Sequence, residues 1–362
     1  MSFADIRDQE VAVRLLRNLI LRNRIPNGLL FWGPGGVGKR SAALELAKAI
    51  NCRQSKADAC GRCLSCRKIA HGNHPDIKQL APSGKTRLIA KKDIEEINEF
   101  AALRPFESEW RIFILHDAER MNLPAQNHFL KTLEEPPGRS LFILMSEYPR
   151  MLLPTIRSRC QLIRFRALRR ETVSELLQNQ RDLPDEVADS VAVLAEGQMS
   201  RALDLVDSEK RQVVFSLVER IAGGEDPVLL AEEFAAFLEG RRKQIEADLK
   251  AESAHAKLDE GNREEWDRLK EVRIAQQAAV VKRDLMDYLY LLETWYRDEM
   301  VVAATGDTSR VWNKDRDARL KARGSGDAPA KVAAIERTRY YLDRFVNEER
   351  VFRDLFFTLA EP

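Results

Sequence analysis

Apolar and polar positions follow two different rhythms along this chain, and the change falls near Phe165. Before it, short apolar runs recur at Leu29–Trp32, His74–Leu80, Trp110–Leu115 and Leu141–Met145. Each is the length of one strand, and Leu141–Met145 is apolar enough to be buried on both faces. Between them lie segments with helical spacing. Val11–Asn23 sets apolar residues among arginines, Ser41–Ile50 follows the first run, and Lys92–Leu103 puts Ile94, Ile97, Phe100 and Ala101 on one face. Leu130–Glu135 reads as the end of another helix, stopped by Pro136-Pro137, because proline has no N–H to continue it. Strand and helix in alternation predict a parallel α/β sheet.

After Phe165 the strand-like runs cease. Helical stripes are expected at Arg169–Gln178, at Pro184–Glu196 through Val187, Val191 and Leu194, and again after the break at Gly197. Further stripes occupy Val213–Ala222, Val228–Leu238, Lys282–Ala304 and Val332–Leu359. Glu239–Lys270 is dense in both charge signs and poor in large apolar residues, so it reads as a long solvated helical hairpin or a mobile excursion. Thr305–Ala330 carries Gly, Asp, Ser and Pro and reads as a loop whose Arg and Lys cluster is solvated or touches DNA or an acidic partner. No internal repeat is visible.

Composition adds limits rather than direction. The chain has 362 residues, 44% hydrophobic and 32% charged, with a net charge of +2. That is enough for two or three folded domains, without the strongly basic footprint of a dedicated nucleic-acid binder. No stretch approaches the roughly 20 apolar residues of a membrane span, and MSFADIRDQE is too acidic and polar for a secretory signal. A cytoplasmic protein with no membrane contact is expected.

The first apolar run leads directly into Gly33-Pro34-Gly35-Gly36-Val37-Gly38-Lys39, which fills seven of the eight positions of the phosphate-binding loop GxxxxGK[ST] in its strand–loop–helix setting. Such a loop curls backbone N–H groups around a polyphosphate, and the helix that follows points its positive end at the same place. ATP or ADP is therefore a candidate ligand. The eighth position, however, is Arg40, and Ser41 lies one residue on, turned away by about 100°. A guanidinium cannot ligate a cation, which leaves Mg²⁺ without its usual hydroxyl. The same deficit recurs where the third strand run ends in His116-Asp117. A phosphate-loop ATPase places there an Asp that supports Mg²⁺, and a neutral imidazole is a poor ligand for so hard an ion.

Four of the five cysteines are bunched as Cys52, Cys60, Cys63 and Cys66, with two CxxC steps. This spacing predicts a closed tetrahedral Zn²⁺ site of structural type, and four clustered thiols suit a reducing compartment better than disulfides. His71 and His74 follow closely enough to be alternative ligands. Finally, Leu141–Met145 is followed by a segment ending in Ser158-Arg159-Cys160. Arg159 is expected beyond that strand, in the half of the sheet where ligands gather. It reads either as a salt-bridged surface arginine or as a guanidinium offered to a phosphate in a neighbouring subunit.

From about Asp8 to Phe165 these pieces resemble the AAA+ clamp-loader family of bacterial DNA polymerase III, in its delta-prime branch. The resemblance is carried by GPGGVGK, the cysteine module, HPD at 74–76, HDAERMN at 116–122, LKTLEEPP at 130–137 and LPTIRSRC at 153–160. It implies an AAA+ α/β domain over 1–166 with the zinc module at 51–67, a small helical lid over 167–210, and an all-helical collar over 211–362. It implies that Arg159 is an arginine finger completing the ATP site of an adjacent subunit, and that Arg201 occupies the lid's phosphate-sensing position. It further implies a place in a five-membered ring with gamma/tau and delta subunits, which opens the sliding clamp and loads it on primed DNA. ATP-hydrolysing relatives keep Ser or Thr after the loop lysine and Asp-Glu where this chain has His116 and Asp117, so weak or no hydrolysis is expected here. Two alternatives remain: a gamma/tau-like subunit that hydrolyses ATP itself, and a zinc-bearing adaptor on an inherited scaffold.

Overall fold

The computed structural model describes residues 2–55, 58–82, 88–254, 263–316, 320, 327–344 and 346–361, without the side chains of 248–280. The contacts group the chain into two compact units, Met1–Thr172 with Gly197–Ser200, and Val173–Glu196 with Arg201–Pro362. Residues 167–172 and 197–200 thus pack with the first unit, and 173–196 and 201–210 with the second.

The first unit is the expected alternation. It runs α1 (Glu10–Leu21), β1 (Gly28–Trp32), α2 (Lys39–Ile50), α3 (Leu64–Ala70), β2 (Ile77–Leu80), α4 (Lys91–Ala102), β3 (Arg111–Leu115), α5 (Leu123–Glu134), β4 (Ser140–Ser146), α6 (Pro154–Arg159) and β5 (Gln161–Arg164). The five strands form one sheet in the order β2-β3-β4-β1-β5, and every pairing is parallel. Central β3 and β4 are buried along their whole length, while the edge strands β2 and β5 are partly exposed. Continuous apolar runs are what a sheet covered on both faces requires. Phe113 stacks on Phe142 with ring centroids 4.8 Å apart, and Phe129 meets Phe142 edge-on. These rings share a core with Ile94 and Ile97 of α4 and with Ile156 of α6.

The second strand is shorter than its apolar run suggests. It begins at Ile77 rather than His74, because His74-Pro75-Asp76 is committed elsewhere. The His74 carbonyl accepts the Ile77 N–H in a turn, and the Asp76 carboxylate accepts the N–H groups of Phe106, Glu107 and Ser108 at 2.6–2.9 Å. Asp76 is fully buried beside Arg111, their nearest N–O distance being 3.5 Å. Arg111 in turn donates to the carbonyls of Phe100, Leu103 and Arg104. Burial alone would raise the Asp76 pKa, but the three N–H donors outweigh it and hold the carboxyl below its ordinary value.

The second unit is helical: the later part of α7 (Arg170–Arg181), α8 (Asp185–Leu194), α9 (Met199–Asp207, from Arg201 on), α10 (Lys210–Ala222), α11 (Pro227–Ala254), α12 (Arg263–Thr305), α13 (Ala328–Asp343) and α14 (Glu348–Ala360). The stripe expected over Val332–Leu359 is two helices, interrupted after Asp343. Phe234 of α11 packs against Tyr288, Phe352 and Phe356. Two polar clusters around buried residues tie the helices and a loop together. Lys210 meets Asp204, Asp284 and Asp287 at 2.7–3.1 Å. Asp298, fully buried, accepts the N–H groups of Trp312 and Asn313. In the charged segment Glu239–Lys270, helix α11 continues to Ala254 and α12 starts at Arg263; the residues between lie outside the described ones. The expected loop at 305–330 contains short 3-10 turns at Thr308–Arg310 and Lys314–Arg316, and most of its later Arg and Lys positions are likewise outside the described residues. Among the described residues no helix is long and apolar enough to cross a membrane.

Candidate functional site

The glycine loop sits at the carboxyl end of β1, between β4 on one side and β5 on the other. The chain leaves β1 for the far edge of the sheet, works back to β4, then passes β1 to form β5. This is the topological switch point, where parallel α/β sheets open a crevice. The glycines are required by their surroundings. A Cβ on Gly33 would lie 2.2 Å from the Phe165 carbonyl, and one on Gly36 would lie 2.3 Å from the Ser200 nitrogen. Gly36 and Gly38 also adopt φ of 69° and 97°, which side chains resist. Buried Gln9 fastens the loop from behind: its amide donates to the carbonyls of Val37 and Arg166, and its oxygen accepts the Arg166 N–H.

Lys39 opens α2, and its ammonium folds back onto the carbonyls of Gly33 and Pro34 at 2.6 and 2.5 Å. Burial draws its pKa down, while the carboxylates of Glu147, Glu119 and Asp117 pull the other way. The Glu147 carboxylate also crowds Gly35, 2.5 Å from where its Cβ would stand. Glu119 accepts the Glu147 N–H through one oxygen at 3.1 Å. Its other oxygen, and the Ser146 hydroxyl at the end of β4, are buried without a hydrogen-bond partner among the described residues.

The neighbouring corner is cationic and imidazole-bearing where a metal site would need oxygens. Arg40 is exposed and Ser41 half-buried on the first turn of α2. His116 follows β3 and shares a 3.0 Å hydrogen bond with the Gln79 amide oxygen. Burial, then the positive charge of Arg40, lowers the His116 pKa and keeps the ring neutral. Asp117 is exposed in a left-handed conformation with φ of 45°.

Arg159 is not where its position after β4 suggests. The connection from β4 to β5 must return along the sheet, because parallel strands need a crossover, and α6 completes that return. Arg159 is its last residue, directly before Cys160 and β5. The Arg159 carbonyl and the buried Cys160 sulfur pack on Gly28, the first residue of β1. Arg159 therefore stands at the amino edge of the sheet, across β1 from the glycine loop, a span of about 16 Å at 3.3 Å per residue. Its guanidinium meets Glu134 at 2.5 Å and donates to the Thr155 carbonyl at 3.2 Å. Arg201 pairs with Glu196 at 3.1 Å and lies over the Tyr290 ring, 4.2 Å from its centroid, within the second unit.

The cysteines converge as their spacing predicts. The sulfurs of Cys52, Cys60, Cys63 and Cys66 all lie within 4.8 Å of one another, and those of Cys60 and Cys66 are 3.9 Å apart. Ligands at about 2.3 Å in a tetrahedron stand about 3.8 Å apart, so the donor set fits Zn²⁺. Backbone N–H groups already face the sulfurs: Cys63 donates to Cys60 at 3.3 Å and Cys66 to Cys63 at 3.4 Å. The Cys63 N–H, then that of Arg62, brings the Cys60 thiol down to about 6, whereas burial pushes Cys66 upward. Neither histidine joins the cluster. His71 is exposed, and buried His74 accepts the Asp76 N–H while its other nitrogen meets Ser65 and Ser108.

Sequence reasoning missed Gln9, Glu119, Glu147 and the Asp76–Arg111 pair. Asp76 and Glu119 left a signal, in HPD and HDAERMN; the others occupy positions whose surroundings depend on distant segments.

Residues 8–169 match the family described as "DNA polymerase III, delta subunit". The chain is 37% identical over 169 residues to the DNA polymerase III subunit delta' of Bacillus subtilis, covering 47% of this chain and 51% of that protein. It is 39% identical over 132 residues to subunit delta' of Pseudomonas aeruginosa, covering 36% and 40%. Subunit tau of Bacillus subtilis is 31% identical over 211 residues, covering 57% of this chain and 37% of tau. The chain thus spans about half the length, or less, of the curated relatives it matches. Over its first unit it resembles the delta-prime subunit of the bacterial DNA polymerase III clamp loader, with tau subunits close behind.

Proposed function

We propose that this chain is a clamp-loader subunit of DNA polymerase III in the delta-prime position. It forms one member of a five-subunit AAA+ ring with gamma/tau and delta subunits that opens the sliding clamp and loads it on primed DNA in the cytoplasm. Its chemical contribution is Arg159, supplied in trans to a neighbour's ATP. The observation that carries this reading is the separation of Arg159 from the chain's own phosphate loop by the full length of β1. An arginine at the amino edge cannot reach a nucleotide on its own carboxyl edge, yet remains 36% exposed to meet another subunit's. A guanidinium there would stabilise charge developing on a transferring phosphoryl group.

The home loop is read as a poor hydrolase. Arg40 replaces the metal-binding hydroxyl and His116 the metal-supporting carboxylate. Gly33, Pro34, Gly35, Gly36, Val37, Gly38, Lys39, Arg40 and Ser41 retain the shape of a polyphosphate cradle, so ATP or ADP binding without efficient turnover is compatible with it. Cys52, Cys60, Cys63 and Cys66 hold a structural Zn²⁺ that ties the end of α2 to α3. Within the second unit, residues up to 210 belong to a lid and those from 211 to a collar that holds the ring together.

One observation favours the gamma/tau-like alternative: the buried, unpartnered oxygens of Glu119 and Ser146 lie by the glycine loop, where a hydrolytic site would use them. The reconstituted loader separates the two readings. Arg159→Ala is expected to cut turnover at the adjacent site by about 10³-fold, the lower bound for an arginine finger, while Lys39→Ala leaves ring turnover within twofold. Loss of turnover on Lys39→Ala, with Arg159→Ala inert, supports the alternative.

A further inference from the structure

We infer that Glu134 is a positioning residue for Arg159, holding the guanidinium in the orientation that meets the neighbouring phosphate; this rests on the reading of Arg159 as a finger in trans. Glu134 is the last residue of α5 and Arg159 the last of α6, and the two helices pack together at the amino edge of the sheet. The Glu134 carboxylate takes one terminal nitrogen of Arg159 at 2.5 Å, and the Thr155 carbonyl takes the other at 3.2 Å. Two acceptors on different residues fix the plane of a fork that would otherwise swing on four rotatable bonds. Arginine has five N–H donors, so those not engaged by Glu134 and Thr155 remain for an incoming anion.

Local energetics do not explain the acid. A carboxylate at the C-terminal end of a helix faces the negative end of its dipole and is disfavoured there. Pro136 and Pro137 then stop the chain from carrying it further, so Glu134 is held at the edge facing α6. The backbone of its partner is equally fixed, since the Arg159 carbonyl and the Cys160 sulfur lie 3.3 and 3.0 Å from a Cβ built on Gly28. As a stability element the pair is weak: both side chains are more than a third exposed, and exposed pairs contribute little. The cost of misaligning a charge-stabilising group is far larger, because a small displacement at a reacting centre loses much of its effect.

The test uses the reconstituted loader with clamp and primed DNA, measuring kcat and KM for ATP in Glu134→Ala, Glu134→Gln, Arg159→Ala and the Glu134→Ala/Arg159→Ala double variant. Glu134→Ala should lower kcat about fivefold or more with KM within twofold. Glu134→Gln, whose amide oxygen still accepts, should recover most of it. The double variant should be no slower than Arg159→Ala alone, since residues acting as one unit are not additive. Unchanged or raised kcat in Glu134→Ala, with Arg159→Ala impaired, overturns the positioning role and leaves the finger standing. An inert Arg159→Ala overturns both. Equal loss in Glu134→Ala and Glu134→Gln, or loss confined to KM, also overturns it.

Discussion

The two edges of one sheet are built to opposite ends. At the amino edge, where β2, β3, β4, β1 and β5 begin, buried charges are each held by several partners: Asp76 by three backbone N–H groups and Arg111 by three carbonyls, with only the Arg111 Nε left over, while the Ser140 hydroxyl donates to the Pro137 carbonyl. At the carboxyl edge, Glu119 and Ser146 bury atoms without partners, Asp117 sits in a left-handed conformation, and Lys39 turns onto its own loop. Buried charges held by several hydrogen bonds stiffen the backbone around them, whereas a buried carboxylate or hydroxyl oxygen with none has an open position for a further donor. The amino edge, on which Arg159 stands, is thus the more heavily braced of the two, and the carboxyl edge by the glycine loop the less.

Removing metal should give the largest effect. The cysteine cluster begins at Cys52, just beyond the C-terminal end of α2, and thus buttresses the amino edge. Structural zinc supplies on the order of 10 kcal/mol in small zinc modules. Chelation, or Cys63→Ser, should release one zinc per chain and expose the amides of Leu64–Ala70 to hydrogen exchange. Unaltered exchange there would mean the cluster is not structural.

Next in size is Asp76→Ala. It leaves Arg111 buried without its carboxylate, a loss of about 3–5 kcal/mol by analogy with other broken buried pairs. Glu119→Ala on the opposite edge should cost far less, and denaturant midpoints of the two variants compare the edges directly. Equal costs would erase the distinction drawn between them.

Acid sharpens the same contrast. The Asp76 carboxyl titrates below its ordinary value in the folded chain. Its contribution is therefore complete above the unfolded pKa of about 3.9 and is lost as pH falls through the folded value. Asp76→Asn should be less stable than the parent at neutral pH, with the gap narrowing below about pH 4. A constant gap would show that Asp76 is not the group titrating.

The smallest effect should come from repair of the carboxyl edge. Arg40→Thr with His116→Asp restores oxygen ligands where Mg²⁺ would bind. Nucleotide affinity of the isolated chain should then rise with Mg²⁺ by about tenfold, whereas the parent should respond by less than twofold. A parent already dependent on Mg²⁺ would show the crevice intact.

Much of this was legible in the residues. The strands, the loop and the cysteine cluster depend on local pattern, and local pattern is what a sequence carries. Ala12, Val13 and Leu16 of α1 and the whole of β4 are buried as their periodicity predicts. The edge on which Arg159 stands is not legible, because counting forward from β4 ignores the crossover that α6 makes. His74-Pro75-Asp76 looked like strand and is a turn, since its partners at 106–108 lie about 30 residues away. Gln9 and Glu147, and the role of Glu119 within HDAERMN, are not legible for the same reason: their significance is a matter of contact across 28 residues or more.

The central claim is that this chain serves a neighbour's phosphate rather than its own, and the most direct measurement is single-turnover ATP hydrolysis in the ring assembled with Arg159→Lys. Lysine keeps the charge but not the fork, so the account predicts an assembled, clamp-binding ring whose hydrolysis at the adjacent site is slowed by at least about tenfold. Parent-like hydrolysis at that site would contradict it.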